Sequence, residues 1–218
     1  MALADRTLLP DGARWAAAAV AVLAATVVAV LAVRYAGDHA AGRVDGHLDR
    51  AVDLLPATEG WFVQAVTVLG SPPVVTLSAG LLAVVCLLTG ALRAAVFVVG
   101  GPGLTGLITT FGKPVVDRTI GHNDALAFPS GHTGGATSLT LVCALVLAAA
   151  FGLRARGTAV FAAASAVVVG GAVGTGMIAR GSHYPTDVVG GFCTAVASVL
   201  VVALVLDAVL LCRRAGVR

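Results

Sequence analysis

The sequence predicts an all-α integral membrane protein with six transmembrane helices in one bundle. Its 218 residues are 58% hydrophobic and only 11% charged, whereas about a quarter of the residues in a soluble domain are usually charged. Six mostly apolar segments approach or exceed the roughly twenty residues that a membrane helix needs. The whole chain, residues 1–218, is therefore predicted to form a single membrane domain.

The first of these segments is predicted to be a retained transmembrane helix. Its apolar run exceeds the h-region of about 7–15 residues that signal peptides have, and no clear small-residue cleavage site follows it. A Gly-Ser-Pro-Pro sequence at residues 70–73 breaks the chain before the second span. The predicted bounds of the six spans are 14–36, 70–90, 92–112, 132–152, 157–178 and 186–211.

Residues 37–60, after the first span, are too polar to cross a membrane. Apolar side chains recur there at helical spacing, which predicts an amphipathic helix on the outer surface. A solvated loop is the alternative. The recurring apolar residues are Val44, Leu48, Val52 and Leu55. The charged residues between them are Arg43, Asp45, Asp49, Arg50 and Asp53.

Six spans place both termini on one side of the membrane, and positive charge indicates which side. Eight of the 14 lysines and arginines lie at the termini or in the turns after the second and fourth spans. The positive-inside rule therefore predicts cytoplasmic termini in a plasma or inner membrane. The five histidines then lie on the outer side. The eight cytoplasmic residues are Arg6, Arg14, Arg93, Arg154, Arg156, Arg213, Arg214 and Arg218.

A Pro-Ser-Gly-His sequence at residues 129–132 stands at the start of the fourth span. A helix start leaves backbone N–H groups unpaired and carries partial positive charge. Ser130 is a favourable N-cap, and Gly131 lets an anion approach the backbone closely. The pattern predicts a phosphate site with His132 in reach of the anion. An ordinary turn with an interfacial histidine is the alternative.

His183 and Asp187 lie four residues apart at the start of the sixth span. A carboxylate bonded to one imidazole nitrogen fixes the tautomer and leaves the other nitrogen as a nucleophile or base. The alternative is a helix-capping Asp187 next to a solvated histidine.

Three cations accompany these residues on the predicted outer side. Lys113, the only lysine, and Arg118 lie at the outer end of the third span, and Arg180 lies one turn before His183. Snorkelling to lipid headgroups is the common alternative for such side chains. Because ionisable groups are costly in a membrane and three loops bring them to the same side, the joint pattern favours chemistry on a phosphate at the membrane surface.

These motifs resemble those of the type 2 phosphatidic acid phosphatase superfamily of membrane lipid phosphatases. Its three motifs are K-x6-R-P, P-S-G-H and S-R-x5-H-x3-D. Residues 129–132 match the second motif in full, and His183 and Asp187 match the second half of the third. The motif order and the six-span layout also agree, so the resemblance covers nearly the whole chain.

The first and third motifs each depart from the family pattern at two positions: Ile120 and Gly121 stand where the first motif has arginine and proline, and Gly176 and Met177 stand where the third has serine and arginine. Arg118 and Arg180 are the nearest cations in the same loops. We expect these two residues to replace the missing arginines in holding the phosphate.

The resemblance implies hydrolysis of a lipid phosphate or diphosphate through a phosphohistidine at the outer membrane face. His183 is the implied nucleophile, Asp187 orients it, and His132 acts first as acid and then as base. No metal or other cofactor is expected, because fixed cations neutralise the phosphate. The residues expected to bind phosphate are Lys113, Arg118, Ser130, Gly131 and Arg180.

Several functional alternatives stay open. Within the phosphatase class, the headgroup could belong to a polyprenyl diphosphate, phosphatidate, phosphatidylglycerol phosphate or a lipid-linked sugar phosphate. A catalytically silent lipid-phosphate binder or transporter is favoured by the missing arginines and opposed by the intact histidines and Asp187. A histidine-ligated metalloprotein would need three or four converging ligands, and the histidines and four cysteines lack metal-type spacing. The net charge of +3 gives no reason to expect nucleic-acid binding, and no oligomeric state is predicted.

Overall fold

The computed structural model describes residues 6–47, 60–120 and 123–216. These residues form a helical bundle with one small antiparallel hairpin, and residues 43–47 are also helical. The seven longer helices are α1 Arg14–Arg34, α2 Trp61–Leu69, α3 Pro72–Leu88, α4 Leu92–Val116, α5 Gly131–Phe151, α6 Ala155–Ala179 and α7 Pro185–Gly216. The hairpin strands are β1 Thr119–Ile120 and β2 Asn123–Leu126.

The predicted six-span helical membrane bundle is confirmed. Five helices, α1 and α4 to α7, are each long and apolar enough to cross a membrane. The second span is a pair of helices, α2 and α3, bent by 52° at the break between Leu69 and Pro72. Pro72 and Pro73 occupy the first turn of α3, where a missing backbone N–H costs nothing. The predicted Gly-Ser-Pro-Pro break is thus where the second span bends.

Three details differ from the sequence-based expectation. Helix α4 continues past residue 112 to Val116, with Pro114 inside its last turn. A two-stranded hairpin follows α4, in a chain predicted to be all-α. Half of the segment expected to form the surface helix, residues 48–59, lies outside the described residues. In its described part Asp45 is fully buried, so its expected place on a solvated helix face is wrong.

Helix α5 lies at the centre of the bundle and contacts α4, α6 and α7. Small residues allow close approach between α5 and α7. A Cβ on Gly191 of α7 would lie 2.3 Å from the backbone oxygen of Ser130. The Ser130 N–H donates to the backbone oxygen of Asp187 at 3.0 Å. The start of α5 is therefore fixed directly against the start of α7.

A buried polar cluster around Asp207 lies toward the C-terminal end of α7. The side chain of Asp207 accepts the backbone N–H groups of Leu8 and Leu9 at 2.8 and 2.9 Å. Arg93 of α4 donates to the same carboxylate at 2.7 Å. Asp207 thus anchors the N-terminal segment to the bundle, a contact between residues about 200 positions apart that no local sequence pattern predicts.

Candidate active site

The ends of three loops meet around a polar cavity of about 330 Å³. We call it the site cavity. The structure brings together four of the predicted site residues there, from the end of α4, the start of α5 and the loop before α7. The residues that line the site cavity are Lys113, Ala125, Leu126, His132, Met177, Arg180, Ser182 and His183.

Ser130 is the N-cap of α5 and does not line the site cavity. Its hydroxyl accepts the Thr133 N–H at 3.4 Å and donates to the Thr133 Oγ1 at 3.1 Å. The residue is fully buried and is not among those that line the cavity. This position does not support the expected role of the Ser130 side chain in holding phosphate, because its hydroxyl is bonded within the first turn of α5 and does not line the cavity. Gly131 and His132 are only partly buried.

His183 and Asp187 lie side by side at the start of α7. The Nδ1 of His183 is 3.7 Å from the Oδ2 of Asp187, which is longer than a hydrogen bond. This nitrogen is buried and has no hydrogen-bond partner among the described residues. Such contacts are often long in unliganded sites and tighten when substrate binds. The pair is thus placed for Asp187 to hold one ring nitrogen while the other is available for chemistry.

The first turn of α7 fixes the Asp187 carboxylate. Pro185 begins the helix, and the backbone N–H of Tyr184 donates to the Oδ2 of Asp187 at 2.8 Å. This is the reciprocal half of a capping box, in which the third helical residue bonds back to the residue before the helix. Asp187 therefore caps its own helix and faces His183 with the same oxygen.

Arg118 lies in a fully buried ion cluster and does not line the site cavity. Its Nη1 donates to the Oδ1 of Asp187 at 2.5 Å, and its Nη2 donates to the Oδ2 of Asp45 at 2.7 Å. All three side chains are 0% exposed. Arg118 is therefore not placed as expected for direct phosphate binding: two carboxylates bind its guanidinium, and it does not line the site cavity.

The aromatic and hydroxyl groups around Arg118 complete the cluster. Its guanidinium carbon is 4.1 Å from the ring centroid of Tyr35 and 4.8 Å from that of Tyr184, within cation–π range. Thr186 Oγ1 accepts from Nη1 at 2.7 Å and donates to Asp45 Oδ2 at 3.0 Å. Sequence reasoning missed Asp45, since it lies 73 residues from Arg118 with no local signal to link them.

Lys113 and Arg180 are the predicted cations that line the site cavity. The Nζ of Lys113 donates to the backbone oxygen of Leu126 at 2.8 Å, so the hairpin holds the ammonium group at the cavity. Arg180 is exposed, and its Nη1 donates to the Oγ1 of Thr67 at 3.0 Å. Met177, at the place of a missing family arginine, lines the same cavity as Arg180.

A larger and mainly apolar groove of about 600 Å³ continues from the site between α3, α4 and α5. We call it the tail groove. Lys113 and His132 line both the tail groove and the site cavity, so the two spaces adjoin at these side chains. Other residues that line it are Gly70, Val75, Ala79, Val99, Gly103 and Gly106.

Among the described residues, no group of three or more histidine, cysteine, aspartate or glutamate side chains is arranged to hold a metal ion. The two histidines of the site cavity are accompanied by a lysine and an arginine. This donor set suits an anion rather than a cation.

The order of these groups along the chain agrees with a known family. Residues 84–209 match the model of the PAP2 superfamily. The chain belongs to this superfamily. The matched region contains Lys113, both histidines of the site cavity and Asp187, whereas Asp45 precedes it.

One solved structure shows that the PAP2 superfamily fold extends over nearly the whole chain. It is the crystal structure of a transmembrane PAP2-type phosphatidylglycerolphosphate phosphatase from Bacillus subtilis. The TM-score is 0.58 with 18% sequence identity, over 91% of this chain and 97% of the other. No curated protein matches this sequence significantly. At this identity the likeness establishes the fold.

Proposed function

We propose that this PAP2 superfamily member is a membrane lipid phosphatase that uses His183 as a covalent nucleophile. The observation that carries the proposal is the joint lining of the site cavity by His183, His132, Lys113 and Arg180. Two imidazoles with two cations in one cavity provide a nucleophile, an acid and charge neutralisation for phosphoryl transfer.

The first step transfers the phosphoryl group to the protein. The ring nitrogen of His183 that faces away from Asp187 attacks phosphorus, and the bond from phosphorus to the lipid oxygen breaks. His132 gives its proton to that oxygen. In the second step His132 takes a proton from water and the water oxygen attacks phosphorus. The bond between phosphorus and the His183 nitrogen breaks, which releases inorganic phosphate.

Positive charge at the site cavity stabilises the transferring group. In this proposal Lys113 and Arg180, which line the site cavity, neutralise its oxygens together with the backbone N–H groups of Gly131 and His132 at the start of α5. Ser130 and Arg118 do not line the cavity and act indirectly: Ser130 caps α5, and Arg118 pairs with Asp187.

The tail groove supports a lipid as the substrate class. Its wall is made mostly of apolar and small side chains from α3, α4 and α5, and Lys113 and His132 stand where it meets the site cavity. A hydrocarbon tail in the groove would place its phosphate headgroup beside these two residues. A polyprenyl diphosphate, phosphatidate or a similar lipid phosphate has this combination of tail and headgroup.

A catalytically silent lipid-phosphate binder is the second candidate. The absence of arginine at Ile120 and Met177 favours it, because both positions are cationic in the family pattern that the chain resembles. The placement of Arg180 on the cavity wall beside Met177 opposes it, since a cation is still supplied there.

A phosphate-release screen in excess chelator distinguishes these functions. We expect the purified protein to release phosphate from at least one lipid phosphate or diphosphate in detergent, with activity unchanged by chelator, because Lys113 and Arg180 neutralise the charge. Vanadate should inhibit as a mimic of five-coordinate phosphorus. Binding without turnover would support the silent binder, and a loss in chelator restored by one metal would contradict metal-independent catalysis.

We further propose that the site cavity opens on the outer face of a plasma or inner membrane, with both termini cytoplasmic. The exposed arginines Arg154, Arg156 and Arg213 lie at the bundle end opposite the two histidines of the site cavity. In a background cleared of the four native cysteines, Ser182→Cys should react with an impermeant thiol reagent in intact cells, and Arg156→Cys should not. The reverse labelling pattern would invert the topology.

A further inference from the structure

We infer that Asp45 and Arg118 act through Asp187 to position and charge-balance His183, which makes Asp45 a positioning residue for the phosphoryl transfer. The inference rests on the proposed function, in which His183 is the nucleophile. It gives a role to two buried ionic residues that do not contact the site cavity.

The three charged side chains form one connected unit. Arg118 binds Asp187 through one guanidinium nitrogen and Asp45 through the other, at 2.5 and 2.7 Å. Each of the three is completely buried. A buried charge is tolerated only when it is paired and hydrogen-bonded, so removal of one member leaves another uncompensated.

Asp45 also holds the first turn of α7 directly. Its Oδ1 accepts the backbone N–H of Thr186 at 3.0 Å, and its Oδ2 accepts the hydroxyl of the same residue at 3.0 Å. Thr186 immediately precedes Asp187. A side chain from the segment after α1 therefore supplies a cap to the helix that carries the Asp187 carboxylate.

The second carboxylate gives the cluster a net negative charge. Arg118 paired with Asp187 alone would be neutral overall, whereas Arg118 with both Asp45 and Asp187 retains one net negative charge. The His183 ring becomes positively charged when one of its nitrogens takes a phosphoryl group and the other keeps its proton. A net negative cluster 3.7 Å from that ring favours the charged intermediate.

Substitutions at Asp45 separate charge from shape. Asp45→Asn keeps the shape and removes the charge, whereas Asp45→Glu keeps the charge and lengthens the side chain. We expect Asp45→Asn to lower kcat about tenfold to a hundredfold, by analogy with the loss measured when a residue that orients a metal-ligating histidine is changed. KM should stay within about threefold, because substrate does not touch Asp45. Asp45→Glu should retain more activity than Asp45→Asn.

Asp117→Asn is the matched control. Asp117 is exposed, lies next to Arg118 in sequence and has a φ of 52°, a conformation that asparagine tolerates. The control removes the same charge at the same end of the bundle outside the buried cluster. If Asp45→Asn behaves like Asp117→Asn, or is more active than Asp45→Glu, the inference is overturned.

A double-mutant cycle tests whether Asp45 acts through Asp187. In an Asp187→Asn background, Asp45→Asn should lower kcat by less than about threefold further, because the group through which it acts is already neutral. An equal fractional loss in both backgrounds would show that Asp45 supports the fold independently of Asp187, and would contradict the inference.

Vanadate binding provides a readout that needs no turnover. Calorimetric titration of the purified protein in detergent should show vanadate affinity lowered about tenfold or more in Asp45→Asn, and unchanged in Asp117→Asn. Equal affinity in wild type and Asp45→Asn overturns the inference.

If Asp45→Asn does not fold, Asp45→Glu is tested in its place. A folded Asp45→Glu variant that neither releases phosphate nor binds vanadate overturns the inference. Wild type without phosphate release from any lipid phosphate would instead contradict the proposed function.

Discussion

His183→Ala should abolish phosphate release, with kcat lowered at least about a thousandfold, as expected when a covalent nucleophile is removed. His183 is the imidazole of the site cavity that lies against the buried Asp187 carboxylate. His39→Ala is a suitable control, because His39 is exposed and bonded to Thr119 away from the cavity. The measurement is the initial rate of phosphate release per folded protein in detergent.

His132→Ala should also release phosphate slowly, but because it lacks the acid and base rather than the nucleophile. His132 gives a proton to the lipid oxygen, so its loss is most severe with a poor leaving group. A substrate with an activated leaving group needs no such proton and should still phosphorylate His183. The phosphoenzyme should then accumulate, since no base activates water for the second step. Near-normal turnover of His183→Ala, or equal effects of both substitutions on both substrates, would show that the roles are assigned wrongly.

Lys113→Ala should lower kcat about a hundredfold or more, the cost typical when a group that stabilises transition-state charge is removed. Lys113 lines both the site cavity and the tail groove, and its hydrogen bond to Leu126 holds the ammonium group in place. Arg180→Ala should lower kcat by a smaller factor than Lys113→Ala, because Arg180 is exposed and its charge is partly screened by solvent.

Arg43→Ala serves as the control for Lys113→Ala, since Arg43 is an exposed cation outside the site cavity. The rates should be compared at saturating substrate, with thermal denaturation to check that each variant is folded. A Lys113→Ala rate no lower than that of Arg43→Ala would show that other groups neutralise the phosphate, and would make the silent-binder alternative stronger.

The sequence predicts the composition of the site cavity because its residues lie at the ends of membrane spans. A span of about twenty apolar residues places its polar ends at the membrane surface. Lys113, His132 and His183 each stand at or beside such an end, and the structure brings them to one cavity. Their meeting therefore follows from span lengths and topology, which hydropathy reveals.

The buried cluster behind the cavity could not be predicted in the same way. Asp45 and Arg118 are 73 residues apart, and their pairing depends on the path of the chain after α1. Asp45 lies among apolar residues that recur at helical spacing, and this pattern is also typical of an amphipathic surface helix. Likewise, a composition-based expectation treats Arg118 as a free cation, whereas two buried carboxylates occupy it in the fold. The environments of Asp45 and Arg118 are both set by partners that are distant in sequence.

The bend of the second span and the tail groove could be predicted only in part from the sequence. The Gly-Ser-Pro-Pro sequence indicates a break, but not that the helices before and after it form one bent span. Gly103 and Gly106 of α4 line the tail groove, and nothing in the local sequence indicates whether such glycines form a helix contact or a cavity. Only the relative placement of α3, α4 and α5 decides between contact and cavity.

Detection of the phosphorylated protein is the most direct measurement. A lipid phosphate that is turned over in the release screen, radiolabelled on phosphorus, is mixed with the protein and the reaction is quenched within its first turnovers. We expect label on wild type that survives alkali and is lost in acid, as for phosphohistidine, with more label on His132→Ala when the leaving group is activated. His183→Ala should carry none. Rapid turnover by wild type with no label on the protein, or equal labelling of His183→Ala, would contradict covalent catalysis by His183.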